Sequence, residues 1–258
     1  MNLVDFKPEG TPKKITIKHA MSADAVRLLT MCHRNGEKLC FFVGETKSHT
    51  FFDHKDIKNV ALPANRDIYF SVHPTSKAKR RTKENVVAIN VFFADMDKKD
   101  FSNDWSKLDA HVASLPIPPS VKVKSGNGYH CYWFFSETVK IDNTNRAKWS
   151  KLQAQWVDFV GGDKGCKDIA RILRVPNTLN CKNGEEKQVL VVASSSWTQY
   201  DANDLIAAMG HNITEDVSFY DVDTVPDVIA PAHRPTGGDA GAAKLIDTEI
   251  AKMQNAIA

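Results

Sequence analysis

No apolar run in the 258 residues approaches the ~18 consecutive residues that a membrane-spanning helix requires, which argues against an integral membrane protein. The N-terminus also lacks a charged segment followed by the apolar core of a signal peptide, so the expectation is a cytoplasmic protein without a membrane partner. Cysteine is scarce and unpatterned. The five present, Cys32, Cys40, Cys131, Cys166 and Cys181, are odd in number and form no Cys-x-x-Cys pair. A disulfide framework and a zinc site are therefore not expected, and the thiols read as reduced. Cys32, His33 and Cys40 are near in sequence but fall in a helical pattern and the strand after it, which is a poor zinc ligand set. No His-x-His pair accompanies a nucleophilic tyrosine, which argues against a rolling-circle nickase. A net charge of +3 excludes no class of partner.

The chain has 42% hydrophobic residues, and they follow the periods of both helices and strands. Ser22 is placed to cap a helix running to Arg34, with Asn35-Gly36 closing it and a strand from Lys38 to Gly44. Residues 67–72 and 86–94 read as strands, and Trp105 to Leu115 as a helix stopped before Pro116. Residues 120–124 and 130–135 form a β-hairpin around Ser125-Gly126-Asn127-Gly128. Asn145 to Val160 is an amphipathic helix with Trp149, Leu152, Trp156 and Phe159 on its core face, ended by Gly161-Gly162. A last long strand is expected from Lys187 to Ala193 and a short helix from Asp201 to Met209. The class is mixed α/β (α+β), a hairpin-containing sheet with flanking helices.

Residues 1–222 form the expected core. Residues 223–242 carry Pro226, Pro231, Pro235, Gly237 and Gly238 without apolar periodicity and read as a linker. Residues 243–258 put Ile246, Ile250, Met253 and Ile257 on one helical stripe, a helix that either docks on the core or, as the favoured expectation, starts a further region.

Three constellations carry chemistry. Asp95 and Asp97 end the apolar run 86–94, and side chains two apart on a strand share a face. Two converging carboxylates repel each other and lose water, which a hard divalent cation relieves, so magnesium or manganese is the expected guest. The hairpin tip Ser125-Gly126-Asn127-Gly128-Tyr129-His130 joins glycines, whose amides can approach an anion, to a hydroxyl and an imidazole. The third is the run from Asp168 to Lys182. Read as a helix, it puts Asp168 and Arg171 on one face, either as a plain surface ion pair or as a metal carboxylate beside groups that neutralise a polyphosphate. A basic cluster, Lys77, Lys79, Arg80, Arg81 and Lys83, lies just before the strand bearing the aspartates. It reads as a solvated loop or as a contact for nucleic-acid phosphates.

In this order the three motifs resemble the archaeo-eukaryotic primase superfamily, in particular the primase-polymerases of phages, plasmids and other mobile elements. The resemblance rests on Asp-x-Asp at Asp95 and Asp97, Ser-Gly-x-Gly-x-His from Ser125 to His130, and Asp-x-x-Arg-x-Leu-Arg-x-Pro-x-Thr-x-Asn-x-Lys from Asp168 to Lys182. Tyr69 to Pro74 also resembles the strand that precedes the first motif in relatives, and the whole match covers residues 65–195. One departure is Asn177, where relatives often carry glycine after the proline. Asparagine tolerates the left-handed backbone, so the turn survives.

The resemblance implies a DNA primase or DNA polymerase that uses two magnesium or manganese ions to transfer nucleotides from nucleoside triphosphates in replication of a mobile element. It makes Asp95, Asp97 and Asp168 the metal carboxylates. Ser125, Gly126, Asn127, Gly128, His130, Arg171, Arg174 and Lys182 become the residues that hold the incoming nucleotide, with His130 also a catalytic candidate. Lys77, Lys79, Arg80, Arg81 and Lys83 become DNA contacts. The implied partners are a single-stranded DNA template, a primer strand, nucleoside triphosphates and a helicase in cis or in trans. Two rivals share the carboxylates or the fold: a metal-dependent nuclease, which has no need of a triphosphate grip, and a noncatalytic replication initiator that binds DNA.

Overall fold

Two sheets share one core, and the central strands of the second send alternate side chains into that core and into a second buried layer on the other side. A computed structural model gives the fold and describes residues 4–5, 18–63, 66–76 and 81–210. The linker and C-terminal helix expected at 223–258, and Lys77, Lys79 and Arg80, lie outside the described residues.

The strands and helices, in order, are β1 (Val4–Asp5), β2 (Lys18–Ala20), α1 (Ala23–Cys32), β3 (Lys38–Val43), β4 (Ser48–Asp53), β5 (Val60–Pro63), β6 (Ile68–Ser71), β7 (Ala88–Asp97), α2 (Trp105–Ala113), β8 (Val121–Lys124), β9 (Gly128–Lys140), α3 (Arg146–Phe159), β10 (Ile172–Arg174), β11 (Leu179–Asn180), β12 (Lys187–Gln188), β13 (Leu190–Val191), β14 (Gln199–Tyr200) and α4 (Ala202–Ala208). Helices α1, α2 and α4 start where capping side chains satisfy free amides. Ser22 accepts from Ala25 N–H, Asp104 from Ser106 N–H and Asp201 from Asn203 N–H.

One sheet runs β10-β6-β3-β4, antiparallel throughout. The other is built on β9, which pairs antiparallel with β7 and β8 and parallel with β14, while β13 extends it beyond β8. Leu39, Phe41, Val43, Ile68, Phe70 and Leu173 from the first sheet pack with Val91, Phe93, Val123, Tyr132 and Phe134 from the second, joined by Leu28, Leu29 and Cys32 of α1. The far side of the second sheet, through Phe92, Ala94, Met96, Cys131, Trp133 and Phe135, is covered by Leu152, Trp156 and Val157 of α3, Leu108 and Val112 of α2, and Leu205 and Ile206 of α4. Mixed α/β architecture with antiparallel, hairpin-joined strands is thus the fold class.

Two expected elements differ. Residues 168–174 are not helical: a turn at Ile169–Ala170 leads into β10, because Leu173 pairs with Phe70 and must bury in the sheet. The strand expected from Lys187 to Ala193 is two short pieces. Lys187–Gln188 pairs with β11 and Leu190–Val191 with β8, and buried Val189 between them exchanges hydrogen bonds with Asn177 and Thr178.

Candidate active site

The functional groups gather where β7 and the β8–β9 hairpin end together. In the antiparallel register Asp95 lies opposite His130 and Asp97 opposite Gly128, so both carboxylates face the side that carries Phe93, Tyr132 and the shared core. The hairpin approaches β7 so closely that a side chain at Gly128 is impossible. A Cβ there would stand 2.1 Å from the Met96 carbonyl oxygen. Asn127 O accepts from Lys98 N–H at 2.8 Å, and the Asn127 side chain accepts from Lys187 Nζ at 2.7 Å, which clamps the tip from both sides. Buried Ser125 donates its hydroxyl to Gly128 O at 3.2 Å, and Asn180 Nδ2 donates to Ser125 O at 2.8 Å.

The electrostatics centre on Asp95. One oxygen, Oδ1, is buried without a hydrogen-bond partner, although the side chain as a whole keeps 24% of its surface exposed. Burial first, then the neighbouring charges of Asp97 and Asp163, raise its pKa to about 7, against the opposing pull of Arg174 and Arg171. His130 Nε2 is 3.9 Å from that oxygen, too far for a hydrogen bond, and His130 Nδ1 is buried and unpartnered. Burial and the Arg174 charge lower His130 to about 3, so the imidazole is neutral. Asp97 is more open and pairs with Lys99 Nζ at 2.6 Å.

Asp163 is a further carboxylate at this end of the sheet, one that the sequence reading does not single out. It follows the end of α3, and its amide donates to Asp95 O at 2.7 Å, which fixes its backbone to the end of β7. The approach depends on Gly162, where a Cβ would meet Ala94 Cβ at 2.9 Å. The signal was present in Gly161-Gly162-Asp163, but a glycine pair after an amphipathic helix reads first as a plain stop. Asp168, by contrast, is not among the charges that raise Asp95. Its Oδ1 accepts from Ala170 N–H at 2.8 Å, and its charge favours the protonated Arg81 guanidinium. Among the described residues, no three His, Cys, Asp or Glu side chains stand close enough to hold a metal ion as they are.

Two arginines flank the carboxylates. Arg174 donates from Nε to Asp67 Oδ1 at 3.1 Å and from a terminal nitrogen to the Tyr69 hydroxyl at 3.0 Å. Arg171 donates to the Gly165 carbonyl, and its Nε is buried without a partner. Lys182 stands exposed in a turn after β11, with its amide donating to Asn180 Oδ1. Arg81 is half-buried, also with an unpartnered Nε, and Lys83 is exposed. The arrangement thus joins Asp95, Asp97, Asp163, His130, Arg171 and Arg174 in one electrostatic group, places the hairpin tip beside it, and sets Asp168 with Arg81.

No family model matches the chain. A curated replication protein of Clostridium perfringens is 26% identical over 145 residues, covering 53% of this chain and 34% of that protein, so the chain spans about a third of its relative's length. Among solved structures, the AEP domain of the cyanophage S-2L primase-polymerase is similar over 74% of this chain and 100% of that one, with a TM-score of 0.53 at 16% identity. The structure of the primase RepB′ is similar over 72% of this chain and 61% of that one, with a TM-score of 0.45 at 12% identity. With mixed sheets matching the phage domain over its whole length, the chain has the archaeo-eukaryotic primase fold.

Proposed function

We propose that the protein is a DNA-templated nucleotidyltransferase, a primase or primase-polymerase, acting in the replication of a mobile element. The observation that carries this is the orphaned, buried oxygen of Asp95 with Asp97 and Asp163 near it, beside a glycine hairpin and two arginines. A buried carboxylate whose ionisation two neighbouring carboxylates oppose suits a hard divalent cation, magnesium or manganese, and no zinc site is proposed. Asp95, Asp97 and Asp163 would hold it, with Asp97 released from Lys99, and Asp168 is assigned instead to offsetting the charge of Arg81. When bound, such ions lower the pKa of an attacking hydroxyl and neutralise a triphosphate.

The chain's own residues supply the rest. Arg171 and Arg174 bring positive charge to the polyphosphate, and the Gly126–Gly128 amides and Ser125 hydroxyl line its approach. His130, neutral and carrying a free ring nitrogen, is suited to donating a hydrogen bond to a phosphate oxygen. Lys182, the exposed Lys83 and the Lys77–Arg80 cluster would meet DNA phosphates. The replication role follows the named relative, and the single-stranded template, primer and nucleoside triphosphates follow the primase fold.

Labelled nucleotides supplied with magnesium or manganese on primed and unprimed single-stranded DNA test the assignment. The expected result is incorporation that Asp97→Ala abolishes while its far-ultraviolet circular dichroism stays native. Incorporation at the wild-type rate by a folded Asp97→Ala protein would sink it.

A further inference from the structure

The sheet β10-β6-β3-β4 buries only one of its faces in the shared core. Leu39, Phe41, Val43, Phe70 and Leu173 point inward, so by strict alternation Phe42, Tyr69 and Arg174 point outward, with His49 opposite Phe42 on β4. Outward positions of a half-buried sheet are ordinarily polar. Here Phe42, Tyr69 and His49 hold rings, beside Cys40 and Ser71 of the same face, which are buried. Phe42 is half-buried and packs against the exposed His49 ring at 4.9 Å between centroids and against half-buried Tyr69 at 6.1 Å. The Arg174 guanidinium lies 5.0 Å from the Tyr69 ring centroid.

Positive charge borders the same surface. Arg81 acts on Cys40 and His49 of β3 and β4 and also on Arg171 and Asp168 toward the carboxylates, with its Nε buried and unpartnered. Arg174 belongs to both regions, since it also acts on Asp95 and His130. Rings that accept bases, guanidinium groups that accept phosphates and continuity with the catalytic end together fit a strand whose bases are unpaired.

We propose that Phe42, Tyr69 and His49 form a stacking platform on which unpaired bases of single-stranded DNA lie as the template enters, with Arg81 holding its phosphates. This rests on the nucleotidyl-transfer reading for the word template, but strand binding is measurable without catalysis. Stacking on an aromatic side chain tolerates any base, so the platform holds the template without selecting its sequence.

The test measures Kd for a fluorescent oligothymidylate by anisotropy, and for a fluorescent deoxynucleoside triphosphate, in wild type, Phe42→Leu, Phe42→Trp and His49→Ala. Phe42→Leu keeps an apolar cover on the sheet and removes only the ring, so folding is preserved, and Phe42→Trp restores a ring. Expected is weakening of oligonucleotide binding by about 5- to 30-fold in Phe42→Leu, a smaller loss in His49→Ala, recovery in Phe42→Trp, and an unchanged triphosphate Kd. Oligonucleotide binding as in wild type for both Phe42→Leu and His49→Ala would overturn the platform. So would a loss confined to the triphosphate, which would assign the rings to the incoming nucleoside. If wild type incorporates no nucleotide while the pattern of oligonucleotide losses holds, the platform stands and only the catalytic reading fails.

Discussion

At the scale of single residues, Asp95 concentrates the cost of the site. A carboxylate with one oxygen buried and unpartnered, next to Asp97 and Asp163, is held in the protein against its own ionisation near neutral pH. Replacing it by asparagine keeps the shape and removes the charge. Asp95→Asn is therefore expected to raise the stability of the metal-free protein at pH 8 by about 1 kcal/mol, a figure reduced because part of the side chain meets solvent. The same variant should lose the rise in melting temperature that magnesium or manganese gives wild type. Thermal melts of both proteins with and without metal check this, and an equal metal response in the two would count against Asp95 as a ligand. The placement of Asp95 and Asp97 on one face at the end of a buried strand was legible in the sequence, because strand alternation alone puts two residues of one strand on one face. Asp163 was not, because its approach to Asp95 depends on the path of the chain after α3 and on the absence of a side chain at Gly162.

At the scale of elements, β7 reaches the site with the right face only because it is irregular. Between Ile89 and Val91 its pairing with β9 shifts, so Ile89 packs toward α3 while Val91, two residues later, packs into the core between the sheets. From Val91 onward, Phe93, Asp95 and Asp97 keep that orientation. Asn90 occupies the irregularity and donates to Cys32 O at 2.9 Å and to Glu37 Oε2 at 2.8 Å, pinning β7 to the end of α1. Asn90→Ala is expected to destabilise the protein by about 1–3 kcal/mol, measured by urea unfolding, because it strands a buried carbonyl and leaves half-buried Glu37 with one partner fewer. A change within 0.5 kcal/mol would remove Asn90 from this role. The bulge could not be read from the apolar run, since a fully buried strand shows no alternation that would reveal a slip. The same limit explains the turn and short strand found where a helix was read from Asp168: spacing three suits a helix face, and only the pairing of β10 with β6 decides otherwise. Asn177 behaves as its type allows, with φ at 68° in the left-handed region.

At the scale of the whole molecule, three imidazoles are buried, His33, His73 and the His130 of the site, and each weakens the fold in acid. His33 donates from Nδ1 to Leu29 O at 3.1 Å, while both ring nitrogens of His73 lack partners. Burial is the main cause for both: it lowers His33 to about 4, with His54 also opposing the charge, and His73 to about 3, with His33 opposing the charge. The unfolded chain takes up these protons near pH 6.5 and the folded chain does not, so the unfolded state binds more protons between those values. Stability should then fall as pH drops from about 6.5 to 4.5, by about 2 kcal/mol for each imidazole. Urea titrations across that range should show His73→Leu losing less than wild type by about that amount, and equal losses would contradict the account.

The central claim, that Asp95, Asp97 and Asp163 form the catalytic end of a nucleotidyltransferase, is tested most directly by extension of a primed DNA template by wild type, Asp163→Asn and Asp168→Asn. The account predicts extension by wild type, loss by at least about a hundredfold in Asp163→Asn with oligonucleotide binding retained, and a smaller loss in Asp168→Asn. Wild-type extension by Asp163→Asn, or none by the wild-type protein with either metal, would contradict it.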